Sequence, residues 1–326
     1  MDTLPRRNNM KISKGLMALV TCAIALNASA SDERVTFKAA KSSSSYYQMA
    51  VQVGEGISQA TNKEVMLTIE ESQGSVQNVK EAPKRVGNYL FTTPPSLITL
   101  AQEGKAMFEK DDPKAYASIR GLFPIPYLTM HIVVRADSGI KSFEDLNGKS
   151  LLIGKGSYGA KEAARYIELF GLKDKTKLVD AELSGAVTAL KNGQIDGFAT
   201  SGSYPAPNVI EAAASMPITL LSMNDAQIAL TGQTKIIIPA GTYADVETNV
   251  ATTTLPVGLY TTTAMSNELA YKITKAFWES KSKLETQNIW WKAITPENLS
   301  MFNSKLHPGA LKYYNEIHAS IPENLK

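Results

Sequence analysis

Residues 37–50 read F-K-A-A-K-S-S-S-S-Y-Y-Q-M-A, and the fold class follows from how they divide. Val35, Phe37 and Ala39 alternate as a half-buried strand does. Ser42, Ser43, Ser44 and Ser45 follow, and then Tyr46, Met49, Ala50, Val53, Ile57 and Ala60 recur at helical spacing. A strand, a small polar loop and a helix leave N–H groups and hydroxyls at a helix N-terminus beyond the sheet edge. Taken alone, the segment is a serine cap with spare serines in a solvated loop.

The same build recurs. Small polar residues stand between a strand-like and a helix-like run at 42–45, 72–75, 92–96, 154–157 and 201–203. Further strands are expected at 64–70, 88–92, 127–135, 150–153, 177–180, 195–199, 218–221, 235–238 and 253–260, with 119–126 broken by Pro124 and Pro126. Helices are expected at about 75–83, 96–103, 158–170, 205–214 and 225–230. Ser184 should cap another that ends at Gly193, and the chain turns helical from Asn267 with breaks near Pro296 and Pro308. Ser142 with Asp145 resembles a capping box. Strands alternating with helices imply an α/β fold with mainly parallel sheets flanked by helices. Ligands of open α/β sheets bind beyond the carboxyl ends of the strands. Five such loops, drawn from both halves of the chain, read as two facing sets and a cleft between two lobes.

The N-terminus is a leader. Arg6, Arg7, Lys11 and Lys14 precede an apolar run at 16–26, and Ala28-Ser29-Ala30 is a small-x-small cleavage site. A signal peptide over residues 1–30 is expected, with export to the periplasm; threonine at 21 argues against a lipid anchor at Cys22. The leader holds four of the 34 Lys+Arg and one of the 31 Asp+Glu, leaving 30 of each and no formal net charge. The remaining balance gives no electrostatic case for nucleic acid. Cys22 is the only cysteine, so the mature chain has no disulfide and relies on its apolar core. No later apolar run reaches the roughly 18 residues that read as a membrane span. Export without thiols disfavours a nucleotide-dependent cytoplasmic enzyme.

Gly154-Lys155-Gly156-Ser157-Tyr158-Gly159 is a full G-x-G-x-x-G between a strand and a helix, with Asp180 at the end of the next strand. It fits a dinucleotide, or a smaller anion at a helix N-terminus. It is not a Walker A loop, because Ala160 separates Gly159 from Lys161. The histidines His131, His307 and His318 show no metal-ligand spacing, and His131 sits in an apolar strand as a core histidine would. No serine lies in G-x-S-x-G, so no catalytic, metal or cofactor residue is assigned. Trp290-Trp291 and Tyr313-Tyr314 are expected to pack terminal helices onto their lobe rather than stack on a ligand.

With these residues in view, the chain resembles the TAXI group of TRAP-transporter solute receptors. The resemblance covers essentially all of the mature chain. It is carried by 131–149 (H-I-V-V-R-A-D-S-G-I-K-S-F-E-D-L-N-G-K), 152–159 (L-I-G-K-G-S-Y-G) and 189–207, which contains L-K-N-G-Q-I-D-G-F-A and Y-P-A-P. I-P-A-G-T-Y at 238–243, I-T-K-A-F-W at 273–278 and Q-G-S-V-Q-N at 73–78 add to it. Two places depart from the family pattern. Its first loop is glycine-rich where this chain has Ser42 to Ser45, and the acidic residue that follows its G-F-x-x strand is replaced by Thr93-Pro94-Pro95.

The resemblance implies a two-lobed periplasmic-binding-protein fold of type II character that delivers a dicarboxylate or glutamate-like solute to a membrane TRAP permease. An ABC permease or a sensor is the alternative partner, and a monomer is expected. Lobe one would comprise 31–135 and 251–326, and lobe two 136–250, joined by hinge strands at 131–135 and 253–260. The loops would contact a small organic anion through Ser43, Ser44, Ser45, Tyr47, Ser75, Thr92 and Thr93 from lobe one. Lobe two would add Gly156, Ser157, Tyr158, Ser201 and Gly202. Lys41 and Lys155 are either counter-charges or solvated lysines.

Overall fold

Val35 and Phe37 put their side chains on one face of β1 (Glu33–Lys38), and α1 (Ser45–Ala60) buries Tyr46, Met49, Ala50, Val53 and Ile57, in a computed structural model. The structure describes residues 33–85 and 87–326; the leader expected at 1–30 lies outside them. The next units are β2 (Val65–Glu70), α2 (Ser75–Glu81), β3 (Tyr89–Thr93) and α3 (Pro95–Gln102). Then come β4 (Ile119–Arg135), β5 (Ser150–Leu152), α4 (Tyr158–Leu169), β6 (Lys177–Val179), α5 (Ala186–Lys191) and β7 (Gly197–Gly202). The chain closes with α6 (Pro207–Ser215), β8 (Ile218–Leu220), α7 (Asp225–Thr231), β9 (Thr234–Ile238), β10 (Val250–Thr262), α8 (Asn267–Gln287) and α9 (Pro308–Glu316).

The strands form one curled mixed sheet in the order β2-β1-β3-β10-β4-β7-β5-β6, with β8 on β4 and β9 on β10. The βαβ units supply the parallel pairs, β1 with β2 and β3, and β5 with β6 and β7. Every strand pair involving β4 or β10 is antiparallel. These two long strands carry the sheet across its middle. β4 lies on β10 over its first part and on β7 from Thr129 to Val134.

The break expected at Pro124 and Pro126 does not occur, because β4 runs unbroken through both. Over that stretch β4 pairs with β10 alone, and the register slips between Leu255 and Val257. A residue without an N–H fits an edge or a bulge at no loss of a ladder bond. Ser184 does not cap a helix either: residues Leu183–Gly185 tighten into a 3₁₀ turn and Gly185 takes the cap position of α5. Asp145 does accept from the N–H groups of Lys141 and Ser142, but the turn it fixes is 3₁₀ (Glu144–Leu146) rather than α-helical.

A large core spreads from Phe37, Phe91 and Phe123 to Phe277, Trp291 and Tyr314. A second gathers Val133, Phe198, Val187, Val209 and Tyr243. Phe123 stacks on Phe277 at 3.8 Å, and Trp291 meets Phe277 edge-on while its indole N–H reaches Gln52 Oε1 at 2.8 Å. The Tyr314 hydroxyl donates to the Leu122 carbonyl at 2.9 Å. Each such buried ring stabilises the fold by about 1.5–3 kcal/mol, so Trp291 and Tyr314 serve packing. His131 is likewise a core histidine, 2.9 Å from the Tyr243 hydroxyl and 3.1 Å from the Thr129 carbonyl.

Candidate functional site

Because β1, β2 and β3 are parallel, the loops that open α1, α2 and α3 leave the sheet on one edge. The loop after β5 and the end of β7 come from the other half of the sheet. The two sets enclose a cavity of about 60 Å³.

Local hydrogen bonding fixes the walls. Ser44 caps α1: its Oγ accepts from Tyr47 N at 3.3 Å and donates to the Lys41 carbonyl at 2.7 Å. Ser157 caps α4 in the same way, accepting from Ala160 N and donating to the Gly154 carbonyl, both at 2.9 Å. Both hydroxyls are therefore engaged, and the helices offer instead the N–H groups of their first turns, which have no intrahelical partner. Asn78, fully buried, ties the loops after β1 and β3 together by donating to the carbonyls of Ala39 at 2.8 Å and Thr92 at 3.1 Å. Ser72 braces the same corner, donating to the Ala39 carbonyl and accepting from Gly74 N.

Three hydroxyls in the wall have no hydrogen-bond partner among the described residues: Ser75, Thr92 and Ser201. Thr92 is 3% exposed, so its unpaired hydroxyl faces the cavity or nothing. Two tyrosines complete the wall. The Tyr46 hydroxyl donates to the Pro126 carbonyl at 2.9 Å, and burial raises its pKa well above the ordinary value. The Tyr158 hydroxyl lies 3.5 Å from Ser96 Oγ, and burial pushes it up to about 12. Both are neutral phenols at neutral pH.

Contacts between the two loop sets bridge the cavity. Glu182, just after β6, accepts from Gln73 Nε2 at 3.1 Å and pairs with Lys41 Nζ at 3.2 Å. Ser203 N donates to Ser45 Oγ at 3.1 Å. Lys155 lines the rim, is exposed, and has no ion-pair partner among the described residues.

Of the residues singled out from the sequence, Ser44, Ser75, Thr92, Ser157, Tyr158 and Ser201 line the cavity, as do Lys41 and Lys155. The others stand outside the lining, each for a local reason. Ser45 is buried against Ser203, and a Cβ on Gly202 would lie 2.5 Å from Ser45 Oγ, so these two residues form a packed contact. Thr93 is fully buried with its hydroxyl 3.4 Å from the Pro94 carbonyl. Tyr47, in the first turn of α1, packs against the core, and Ser43 Oγ is buried without a partner among the described residues. Gly156, at φ 71°, turns the loop against Gln73. Residues 201–202 are not loop at all, since β7 continues through them on β4, with Ser201 opposite Met130 and Gly202 opposite Thr129.

Tyr46, Gln73, Glu182 and Leu128 also line the cavity and were not singled out. Tyr46 read as the first apolar position of α1, and it is that as well. Nothing local in the sequence marks Glu182, whose partner Gln73 is 109 residues away. Each glycine of the motif has a backbone or packing role within the chain. Gly154 and Gly156 have positive φ, and a Cβ on Gly159 would lie 2.0 Å from Ser201 Oγ. Among the described residues, no group of three or more His, Cys, Asp and Glu is placed to hold a metal.

The NMT1-like family matches residues 37–317. Among solved structures, the chain is similar to the periplasmic binding protein BugD at 9% identity and TM-score 0.57, over 89% of this chain and 99% of that one. It is similar to a protein from Bordetella bronchiseptica RB50 at 15% identity and TM-score 0.51, over 89% and 85%. A periplasmic transporter protein matches at 16% identity and TM-score 0.50, over 76% and 83%. At these identities the likeness concerns the fold, which is that of periplasmic binding proteins.

Proposed function

The chain belongs to the NMT1-like family, and from that premise we propose that it is an exported solute receptor that holds a small organic anion between two lobes and hands it to a membrane permease. The observation that carries this reading is the cavity itself. Both halves of the sheet contribute to it, through the unpaired hydroxyls of Ser75, Thr92 and Ser201 and the first turns of α1 and α4. N–H and O–H donors converging on one small space suit a carboxylate, and each hydrogen bond to a charged group is worth about 1.5–3 kcal/mol.

The lobes would be 31–135 with 251–326, and 136–250, with β4 and β10 crossing between them. The contacts of Glu182 with Lys41 and Gln73 would hold the lobes together, and a ligand favours such a closed form only by binding it better than an open one. We assign the partner to the TRAP class, with export to the periplasm, on the resemblance of 131–149, 152–159 and 189–207. A dinucleotide-dependent enzyme is the poorer reading. Its glycines have roles within the chain itself, Gly154 and Gly156 at positive φ and Gly159 against Ser201.

A thermal-shift screen of the purified protein against organic acids, amino acids, neutral solutes and NAD(P) tests this. A true ligand at 100 times its Kd adds about 2.7 kcal/mol of stability. A response confined to neutral or cationic solutes refutes the anion reading, and a response to NAD(P) alone revives the enzyme.

A further inference from the structure

The cavity wall is rich in donors and poor in charged acceptors, and this bears on the class of acid it takes. The carbonyls that the loops turn toward one another are already engaged. Ala39 O accepts from Ser72 and Asn78, Lys41 O from Ser44, Gly154 O from Ser157, and Ala181 O from Lys155 N. Among the described residues, Glu182 is the only carboxylate in the lining, and both Lys41 and Gln73 hold it. The other acceptors of the wall are neutral: backbone carbonyls, the Gln73 amide oxygen and the hydroxyls of Ser75, Thr92 and Ser201. An ammonium carries three donors and no acceptor, and burying it without a counter-charge is costly.

Resting on the reading of the cavity as an anion site, we propose that the receptor takes amine-free organic acids, 2-oxo or 2-hydroxy carboxylates, and rejects the 2-amino acids of the same skeleton. A 2-oxo or 2-hydroxy group presents acceptor oxygens to the free hydroxyls, and the carboxylate meets the first-turn N–H groups of α1 and α4. A 2-amino acid brings the same carboxylate together with a charge that no free group among the described residues of the wall neutralises. The discrimination is a property of the wall as a whole. Its single carboxylate among the described residues already pairs with Lys41.

Calorimetric titration with matched pairs tests this: pyruvate, L-lactate and L-alanine, and 2-oxoglutarate, L-2-hydroxyglutarate and L-glutamate. The expected result is at least tenfold tighter binding of the oxo or hydroxy acid within the series that fits. Ser75→Asp then supplies the missing carboxylate at a cavity position in the first turn of α2, where an aspartate is well accommodated. That variant should narrow the ratio or invert it. Amino acids that bind the unaltered protein as tightly as their oxo partners overturn the inference and leave the receptor reading standing. Binding of neutral or cationic solutes only, with every carboxylate silent, overturns both. The titrations on the unaltered protein decide the matter even if Ser75→Asp fails to fold.

Discussion

Gly159→Ala offers a quantitative test of the geometry around the cavity. Gly159 stands in the first turn of α4, directly over β7. An added Cβ would sit 2.0 Å from Ser201 Oγ and 2.9 Å from Ser201 Cβ. The hydroxyl can rotate away, but Ser201 Cβ is fixed by the pairing of β7 with β4. Carbon atoms in contact sit about 3.5–4.0 Å apart, so α4 must lift from the sheet by about 0.6–1 Å. Overpacking of this kind costs about 1–3 kcal/mol. Alanine also gains up to about 1 kcal/mol over glycine in a helix, which masks part of the loss. The double variant Gly159→Ala/Ser201→Gly removes the obstruction and leaves the helical gain. Urea unfolding of the unaltered protein, the two single variants and the double variant, extrapolated linearly to water, gives the coupling between the two sites. We expect Gly159→Ala to destabilise the unaltered protein and to be neutral or stabilising when Ser201→Gly is already present. The coupling should come to about 1–3 kcal/mol. Additivity to within about 0.5 kcal/mol would show that α4 and β7 do not meet as described.

Three further perturbations probe other parts of the site. Asn78→Ala takes the Asn78 donor from the buried Thr92 carbonyl and leaves the Ala39 carbonyl with Ser72 alone, and should cost about 1–3 kcal/mol in denaturant unfolding; a loss below the error of the fit would mean that water replaces the side chain. Glu182→Gln removes a partly exposed ion pair with Lys41, so stability should change by only about 0–1 kcal/mol, whereas stopped-flow release of ligand should quicken and lose salt dependence; unchanged release would separate Glu182 from closure. Burial holds His131 down at about 4 from its ordinary 6.5, so between those pH values the unfolded chain binds a proton that the folded chain does not. Stability contributed by His131 is full above pH 6.5 and falls by about 3 kcal/mol as pH drops to 4. His307, also lowered by burial, acts in the same direction. His131→Gln should flatten most of the pH slope of the unfolding free energy, and an equal slope in both proteins would assign it elsewhere.

What the sequence determined by itself is what nearest neighbours along the chain decide. The alternation at Val35 and Phe37 and the helical spacing from Tyr46 to Ile57 place β1 and α1 to within a residue or two, and the helices expected after the serine loop and from about Tyr158 are present, capped by Ser44 and Ser157. Caps and turns close over three or four residues, so their partners lie within reach of a local reading. The tertiary structure alone decided which polar groups remain free. A serine in a loop before a helix reads the same whether its hydroxyl caps that helix or faces a cavity. Ser44 and Ser157 are engaged in caps, while the hydroxyls of Ser75, Thr92 and Ser201 have no hydrogen-bond partner among the described residues. The continuity of β4 through two prolines depends on β10 lying along one edge only, and the bridge between the two loop sets depends on Glu182 meeting Gln73 and Lys41. Those contacts join residues more than a hundred positions apart, and their distances are set by sheet register and packing rather than by any local preference.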